Sequence, residues 1–62
     1  MVSKNIPQKI KKLRKRLNLT QEQFAFKIGV TFSTVNRWEN NRGRPSPLAM
    51  RRIDELIEEH KR

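Results

Sequence analysis

Two helix-start signals lie on either side of a glycine in the middle of this chain. Thr20 and Gln23 have the spacing of a capping box, in which each side chain bonds the backbone N–H of the other residue. Thr31 is placed to cap a second helix, and Gly29 between them readily adopts the positive φ angle that ends a helix abruptly. The pattern predicts two short helices, at about 21–28 and 32–40, joined by a tight turn.

The same segment also contains an alternation that is typical of a β-strand. Residues 24–32 read FAFKIGVTF, with an apolar side chain at every second position. A strand needs partner strands, however, and no other part of the chain alternates in this way. Because the capping signals begin just before this segment, we interpret it as helix, turn and helix.

Two further helices are predicted on either side of this pair. A first helix at about 7–17 has apolar residues at helical spacing, namely Ile6, Ile10, Leu13 and Leu17. A last helix at about 47–60 begins after Ser46, with Pro47 at its first position. Its apolar stripe consists of Ala49, Met50, Ile53, Leu56 and Ile57. We therefore expect an all-α fold of four helices.

The organisation of the remaining residues follows from these helices. Residues 1–5 are predicted to be a flexible basic arm, and 6–62 a compact domain of four helices without a fifth helix. Residues 40–45 read NNRGRP and are predicted to form a polar loop that pivots on Gly43. A chain of 62 residues buries roughly 60% of its unfolded surface, which is too little to enclose a sizeable ligand cavity.

The charge of the chain indicates an anionic partner. The formal net charge is +9, and the sequence pI is about 11.3. Residues 1–53 contain thirteen basic and two acidic side chains, whereas 54–62 contain two basic and four acidic ones. A pI above about 9 in a small domain is typical of nucleic-acid binding, and a merely soluble basic surface is the alternative.

Several classes of protein are not supported by the sequence. Cysteine is absent, and no apolar run approaches the ~18 residues of a membrane span. The single histidine, His60, has no ligand set near it. The remaining candidates for catalysis or metal binding are carboxylates on the last helix, Asp54, Glu55, Glu58 and Glu59, which we interpret as a solvated acidic face. We expect no enzyme activity, no cofactor and no metal.

A longer pattern in the chain resembles a known family. The segment LRKRLNLTQEQFAFKIGVTFSTVNRWENNRGRPS is similar to the phage-repressor/Cro-type helix-turn-helix family, also called the xenobiotic-response-element (XRE) family. The resemblance covers roughly residues 10–48. Its specific marks are Arg14, LTQEQ, Ala25, Gly29, Val35 and RWEN. It implies a compact, repressor-like helix-turn-helix domain that binds double-stranded DNA.

The resemblance implies that the helix from Thr31 to Asn40 lies in the major groove. Ser33 and Arg37 match positions that commonly contact bases in the family, and Asn36 lies between them on the same face. Arginine pairs bidentately with guanine and asparagine with adenine. Phe32 departs from the usual polar residue, and it either touches a thymine methyl group or packs on the domain.

Other matching positions imply contacts to the DNA backbone. Thr20 and Gln21 would place a helix N-terminus, with its free N–H groups, against a phosphate. Asn40, Arg42 and Arg44 match the second backbone contact of the family. These contacts position a protein on DNA without carrying sequence information.

A last group of residues is assigned to the structure itself. Arg14 and Glu39 match a family pair that bridges the first helix to the reading helix. Ala25 must be small where two helices cross, and Gly29 makes the turn, while Val35 and Trp38 are expected in the core. Phe26 replaces a residue that is commonly charged, and it either covers the core against the last helix or contacts a partner.

These observations predict a sequence-specific DNA-binding protein that regulates transcription as a repressor, in the cytoplasm and on the nucleoid. The alternatives are the antitoxin of a toxin–antitoxin pair, a protein–protein adaptor with the same fold, and a non-specific nucleic-acid binder. Without a fifth helix, a homodimer would form through residues 44–57, unless the chain is a piece of a longer protein. A toxin or another protein would meet the acidic last helix.

Overall fold

A computed structural model describes residues 6–60, and the secondary structure in this part of the chain consists of four helices. They are α1 (Ile6–Arg16), α2 (Gln21–Ile28), α3 (Phe32–Glu39) and α4 (Pro47–Glu59). The predicted all-α fold is confirmed, whereas the predicted flexible arm at 1–5 lies outside the described residues.

The predicted helix bounds differ from the observed ones by a single residue at several ends. α1 begins at Ile6 and ends at Arg16, because the chain turns out of the helix through Asn18, whose φ angle is 62°. α3 and α4 each end one residue earlier than predicted, because Asn40 and His60 occupy the C-cap positions. Helix ends are the least regular part of a helix, and differences of this size are ordinary.

The turn between α2 and α3 forms as the capping signals predicted. Thr20 Oγ1 accepts a hydrogen bond from the Gln23 N–H (3.1 Å), and Gln23 Oε1 accepts one from the Thr20 N–H (2.9 Å). Gly29 adopts a φ angle of 92°, and the Thr31 side chain accepts from the Thr34 N–H. Residues 24–32 therefore form the end of α2, the turn and the start of α3, and the strand interpretation is excluded.

The loop between α3 and α4 differs from its prediction in one respect. Asn41 has the positive φ angle in this loop, 58°, whereas Gly43 does not have one. The expected pivot at Gly43 is therefore wrong. The Asn41 N–H donates to the Trp38 carbonyl (3.1 Å), so the reversal of the chain occurs directly at the end of α3. Asparagine tolerates this conformation better than most residues do.

All four helices contribute to one hydrophobic core. The buried apolar residues are Ile10, Leu13, Phe24, Ala25, Ile28, Val35, Trp38, Ala49, Ile53 and Leu56. Trp38 is only 5% exposed, so most of its side chain lies in this core. Phe26, in contrast, is 88% exposed, and the interpretation of Phe26 as a cover for the core is wrong.

An ion pair joins α1 to α3. Arg14 Nε donates to Glu39 Oε2 (2.7 Å), and Arg14 Nη2 donates to Glu39 Oε1 (3.1 Å). The side chains are 16% and 2% exposed respectively. Arg14 Nη1 also donates to the Leu19 carbonyl (3.1 Å), which attaches the segment before α2 to the same guanidinium.

The environment of Glu39 shifts its pKa in a definite direction. Burial alone would raise the pKa, but the hydrogen bonds from Arg14 and Gln21 outweigh it, with help from the positive charges of Arg14 and Lys11. The pKa of Glu39 therefore lies below its ordinary value of 4.5. The pKa of Arg14 is raised, chiefly by its hydrogen bond to Glu39, so both groups are charged near neutral pH.

We expect Glu39→Ala to lower the free energy of unfolding by about 3 kcal/mol, because it leaves the Arg14 guanidinium without its partner. Arg42→Ala, at an exposed loop position, should change it by less than about 0.5 kcal/mol. Urea unfolding of the two variants and the unaltered protein measures both values. Equal unfolding curves for the two variants would contradict the pairing of Glu39 with Arg14.

The lowered pKa of Glu39 also predicts a pH dependence. The ionised carboxylate stabilises the fold above the ordinary carboxyl pKa, and this contribution is lost as the pH falls through the lower pKa of the folded state. The difference in unfolding free energy between the unaltered protein and Glu39→Gln should shrink from about pH 7 to about pH 3. A difference that stays constant over this range would exclude a lowered pKa at Glu39.

Candidate nucleic-acid interface

The side chains of α3 divide into an inner and an outer face. Val35 and Trp38 are buried in the core. On the other side, Ser33 and Arg37 are exposed, and Asn36 is partly buried. These three residues have the i, i+3, i+4 spacing of one helical face. The helix therefore presents one face with hydroxyl, amide and guanidinium groups to the outside.

The outer face of α3 carries no carboxylate. Glu39 is the one acidic residue of this helix, and its side chain lies inside, against Arg14. Arg37 on the helix and Arg42 and Arg44 in the following loop are all exposed. An exposed helix face without acids, followed by an arginine-rich loop, is suited to a polyanion.

The side chain of Arg37 extends along α3 towards the following loop. A methyl group added at Gly43 would lie 3.8 Å from Arg37 Nη2 and 3.9 Å from Arg37 Nε. The backbone N–H of Arg42 donates to the Arg37 carbonyl (2.8 Å). The guanidinium of Arg37 thus lies beside the loop that carries the other two arginines.

The N-terminus of α2 lies next to this face of α3. Gln21 is the first residue of α2, and its side chain reaches α3 through Glu39 and Asn36. The capping box uses the N–H of Gln23, so the N–H groups of Gln21 and Glu22 stay available to a ligand in this turn. Anions bind readily at such a helix end because of its exposed N–H groups and positive partial charge.

Sequence reasoning missed that three of the predicted DNA-contact residues, Gln21, Asn36 and Asn40, are bonded to one another and to Glu39. Asn36 Nδ2 donates to Gln21 Oε1 (3.1 Å), and Gln21 Nε2 donates to Glu39 Oε1 (2.9 Å). Asn40 Nδ2 donates to the carbonyl oxygen of Asn36 (2.8 Å) and to its Oδ1 (3.2 Å). Gln21 and Asn36 are 15 residues apart, and no local spacing rule links them.

The remaining predicted positions lie around this face. Thr20 and Asn40 are exposed at the N-terminus of α2 and the C-terminus of α3. Phe32, at the start of α3, is 50% exposed. Ala25 is buried, and its carbonyl accepts the N–H groups of Gly29 and Val30 (2.8 and 2.9 Å).

The acidic residues of α4 are separate from this surface in sequence and are exposed. Asp54 lies 3.5 Å from Lys9 Nζ, and Glu59 lies 3.9 Å from His60. In residues 6–60, no group of three or more acidic, histidine or cysteine side chains is arranged to hold a metal ion. None of the four described helices has the length and apolar character to cross a membrane.

Comparison with known proteins places the chain in a family. The family model HTH_3, described as helix-turn-helix, matches residues 10–60. No curated protein and no solved structure matches the chain. The matched segment includes the turn at Gly29, the ion pair and the whole of α3 and α4. The chain therefore belongs to the XRE/Cro-type helix-turn-helix family of DNA-binding transcription regulators.

Proposed function

We propose that this protein binds a specific sequence of double-stranded DNA, with α3 in the major groove, and represses transcription there. The observation that carries the proposal is the outer face of α3, which has Ser33, Asn36 and Arg37 on one side and no exposed acid. An α-helix fits the major groove, where each base pair presents its own pattern of donors and acceptors.

The proposed base contacts follow from the chemistry of each side chain. Arg37 donates to the O6 and N7 atoms of guanine, and Asn36 pairs with the N6 and N7 atoms of adenine. Ser33 contacts a neighbouring base through its hydroxyl group. Phe32 lies at the N-terminal end of α3 with half of its surface exposed, which suits contact with a thymine methyl group.

The proposed phosphate contacts lie on both sides of α3. Thr20 and Gln21 bring the N-terminus of α2 to one phosphate group. Asn40, Arg42 and Arg44 bind the backbone at the other end of α3. Most of these side chains are exposed, and the protein has a high net positive charge. Both features support the proposed contacts, because phosphate contacts supply most of the non-specific affinity for DNA.

We also propose that two copies bind together through residues 44–57, on the nucleoid in the cytoplasm. Leu48 lies in this segment and is 65% exposed, at the start of α4. Dimers of helix-turn-helix domains bind half-sites about one helical turn, or 34 Å, apart. A dimer bound across a promoter represses by occupying DNA that the transcription machinery needs.

Selection from random duplex DNA at about 150 mM salt tests this proposal. We expect a pair of inverted half-sites whose centres lie about 34 Å apart. Selection with the variant Leu48→Gln should return the same half-site without a fixed spacing. Phe26→Gln, which removes another exposed apolar side chain outside residues 44–57, should keep the spacing. If no sequence is enriched, the proposal is wrong and a protein–protein adaptor is favoured.

Arg37 and Arg42 should respond differently to the same substitution. Arg37→Ala should weaken the preference for one base pair by about 1–3 kcal/mol, because it removes a bidentate base contact. Arg42→Ala should weaken binding to all sequences alike and reduce the salt slope by about 1. Fluorescence anisotropy with duplexes that differ at single base pairs measures both effects. A uniform loss of affinity in Arg37→Ala would rule out its role in base reading.

A further inference from the structure

A chain of hydrogen bonds connects the buried ion pair to the outer face of α3. It runs from Arg14 to Glu39, then to Gln21, and from there to Asn36. We propose that Gln21 determines sequence specificity by orienting the Asn36 amide for the base, in addition to any contact it makes with a phosphate. This inference rests on the proposed function.

Glu39 determines which group donates and which accepts in each hydrogen bond of this series. An ionised carboxylate accepts hydrogen bonds and cannot donate them. Glu39 is ionised near neutral pH, since its pKa lies below the ordinary value. Gln21 must therefore turn its amide nitrogen towards Glu39 (2.9 Å), which turns Gln21 Oε1 towards Asn36.

The orientation of Asn36 follows from that of Gln21. Because Gln21 Oε1 is an acceptor, Asn36 must turn Nδ2 towards it (3.1 Å). Asn36 Oδ1 then points the other way, where it accepts from Asn40 Nδ2 (3.2 Å). The side-chain amides of Gln21 and Asn36 are thereby each held in one of their two orientations.

The groups of Asn36 that remain unused in this arrangement are the ones that adenine requires. Asn36 Nδ2 keeps a second N–H, and Oδ1 keeps a second lone pair. Adenine offers an N7 acceptor and an N6 donor, so it pairs with an amide in one orientation and meets two mismatches with the opposite one. An Asn36 free to take both orientations would discriminate less.

The side-chain amide of Gln21 also has a second N–H donor. Its Nε2 group donates once to Glu39, and the second N–H is available for a phosphate oxygen at the N-terminus of α2. The same side chain is therefore placed to contact the DNA backbone and to hold a base-reading amide. This arrangement ties the position of the domain on the backbone to the orientation of Asn36.

The variant Gln21→Lys separates these two functions. A lysine ammonium donates to Glu39 and to a phosphate, but it has no acceptor for Asn36. Gln8→Lys is the matched control, since Gln8 is exposed on α1 and the substitution adds the same charge. Urea unfolding shows that each variant is folded before its affinity is measured.

The readout is the ratio of affinities for the preferred duplex and for duplexes changed at single base pairs. Asn36→Ala and Arg37→Ala first identify the base pair that each residue reads. We expect Gln21→Lys to reduce the affinity ratio at the Asn36 base pair by about fivefold or more. The ratio at the Arg37 base pair should stay the same. Gln8→Lys should change neither ratio.

Two further variants keep the experiment decisive. Gln21→Met, which has neither a donor nor an acceptor amide, should lose the same discrimination without adding charge. The double variant Gln21→Lys/Asn36→Ala should discriminate no worse at that base pair than Asn36→Ala alone, because the two residues act through one contact.

The inference fails if Gln21→Lys and Gln21→Met leave every ratio unchanged and alter only the overall affinity. It fails also if Asn36→Ala changes no ratio, since Asn36 then reads no base. The first result leaves the proposed function intact, and the second removes only Asn36 from the proposed base contacts, as long as the unaltered protein prefers one duplex. An unaltered protein without any preferred duplex would overturn the proposed function together with this inference.

Discussion

The paired hydrogen bonds between Arg14 and Glu39 join α1 to α3, and they hold α3, the proposed reading helix, against α1. A buried ion pair adds little net stability, because the cost of removing two charges from water offsets much of their attraction. The pair instead fixes the orientation of α3 relative to α1, because the planar guanidinium pairs with a carboxylate in one geometry. Through Leu19 the same arginine also holds the chain just before α2.

The position of Glu39 also determines the charge that α3 presents. Its carboxylate is withdrawn into the fold, so the helix keeps only Arg37 as a charged group on its outside. Most of the other acidic residues lie on α4, namely Asp54, Glu55, Glu58 and Glu59. This separation of charge allows a net charge of +9 to attract DNA without repulsion at the outer face of α3.

The core leaves some apolar surface uncovered, as expected for a domain of this size. Phe26, Phe32 and Leu48 are the large apolar side chains that remain exposed in residues 6–60. They lie on three different helices, α2, α3 and α4. Single exposed apolar residues are ordinary on a protein surface, and a role in binding follows only from their positions. Phe32 is the first residue of α3, the proposed reading helix, and Leu48 lies in the first turn of α4, in the segment proposed to contact a second copy.

The local features of the fold were predictable from sequence because neighbouring residues determine them. The capping box, the left-handed Gly29 and the proline at the start of α4 depend on contacts within four residues. The apolar stripes likewise predicted which faces of the helices are buried. The family pattern added the pairing of Arg14 with Glu39, which lie 25 residues apart.

Other features were decided by the tertiary structure. The departure of Phe26 from the family pattern left two interpretations of this residue, and only the packing of α2 against its neighbours placed its side chain in solvent. Asn41 rather than Gly43 takes the left-handed conformation, because the chain reverses directly after α3. The bond from Asn36 to Gln21 requires the crossing of two helices. By itself the sequence determined which residue types face outward on α3, whereas the three-dimensional packing decided how the Asn36 amide is held, since hydrogen bonds between distant residues depend on the positions of whole helices.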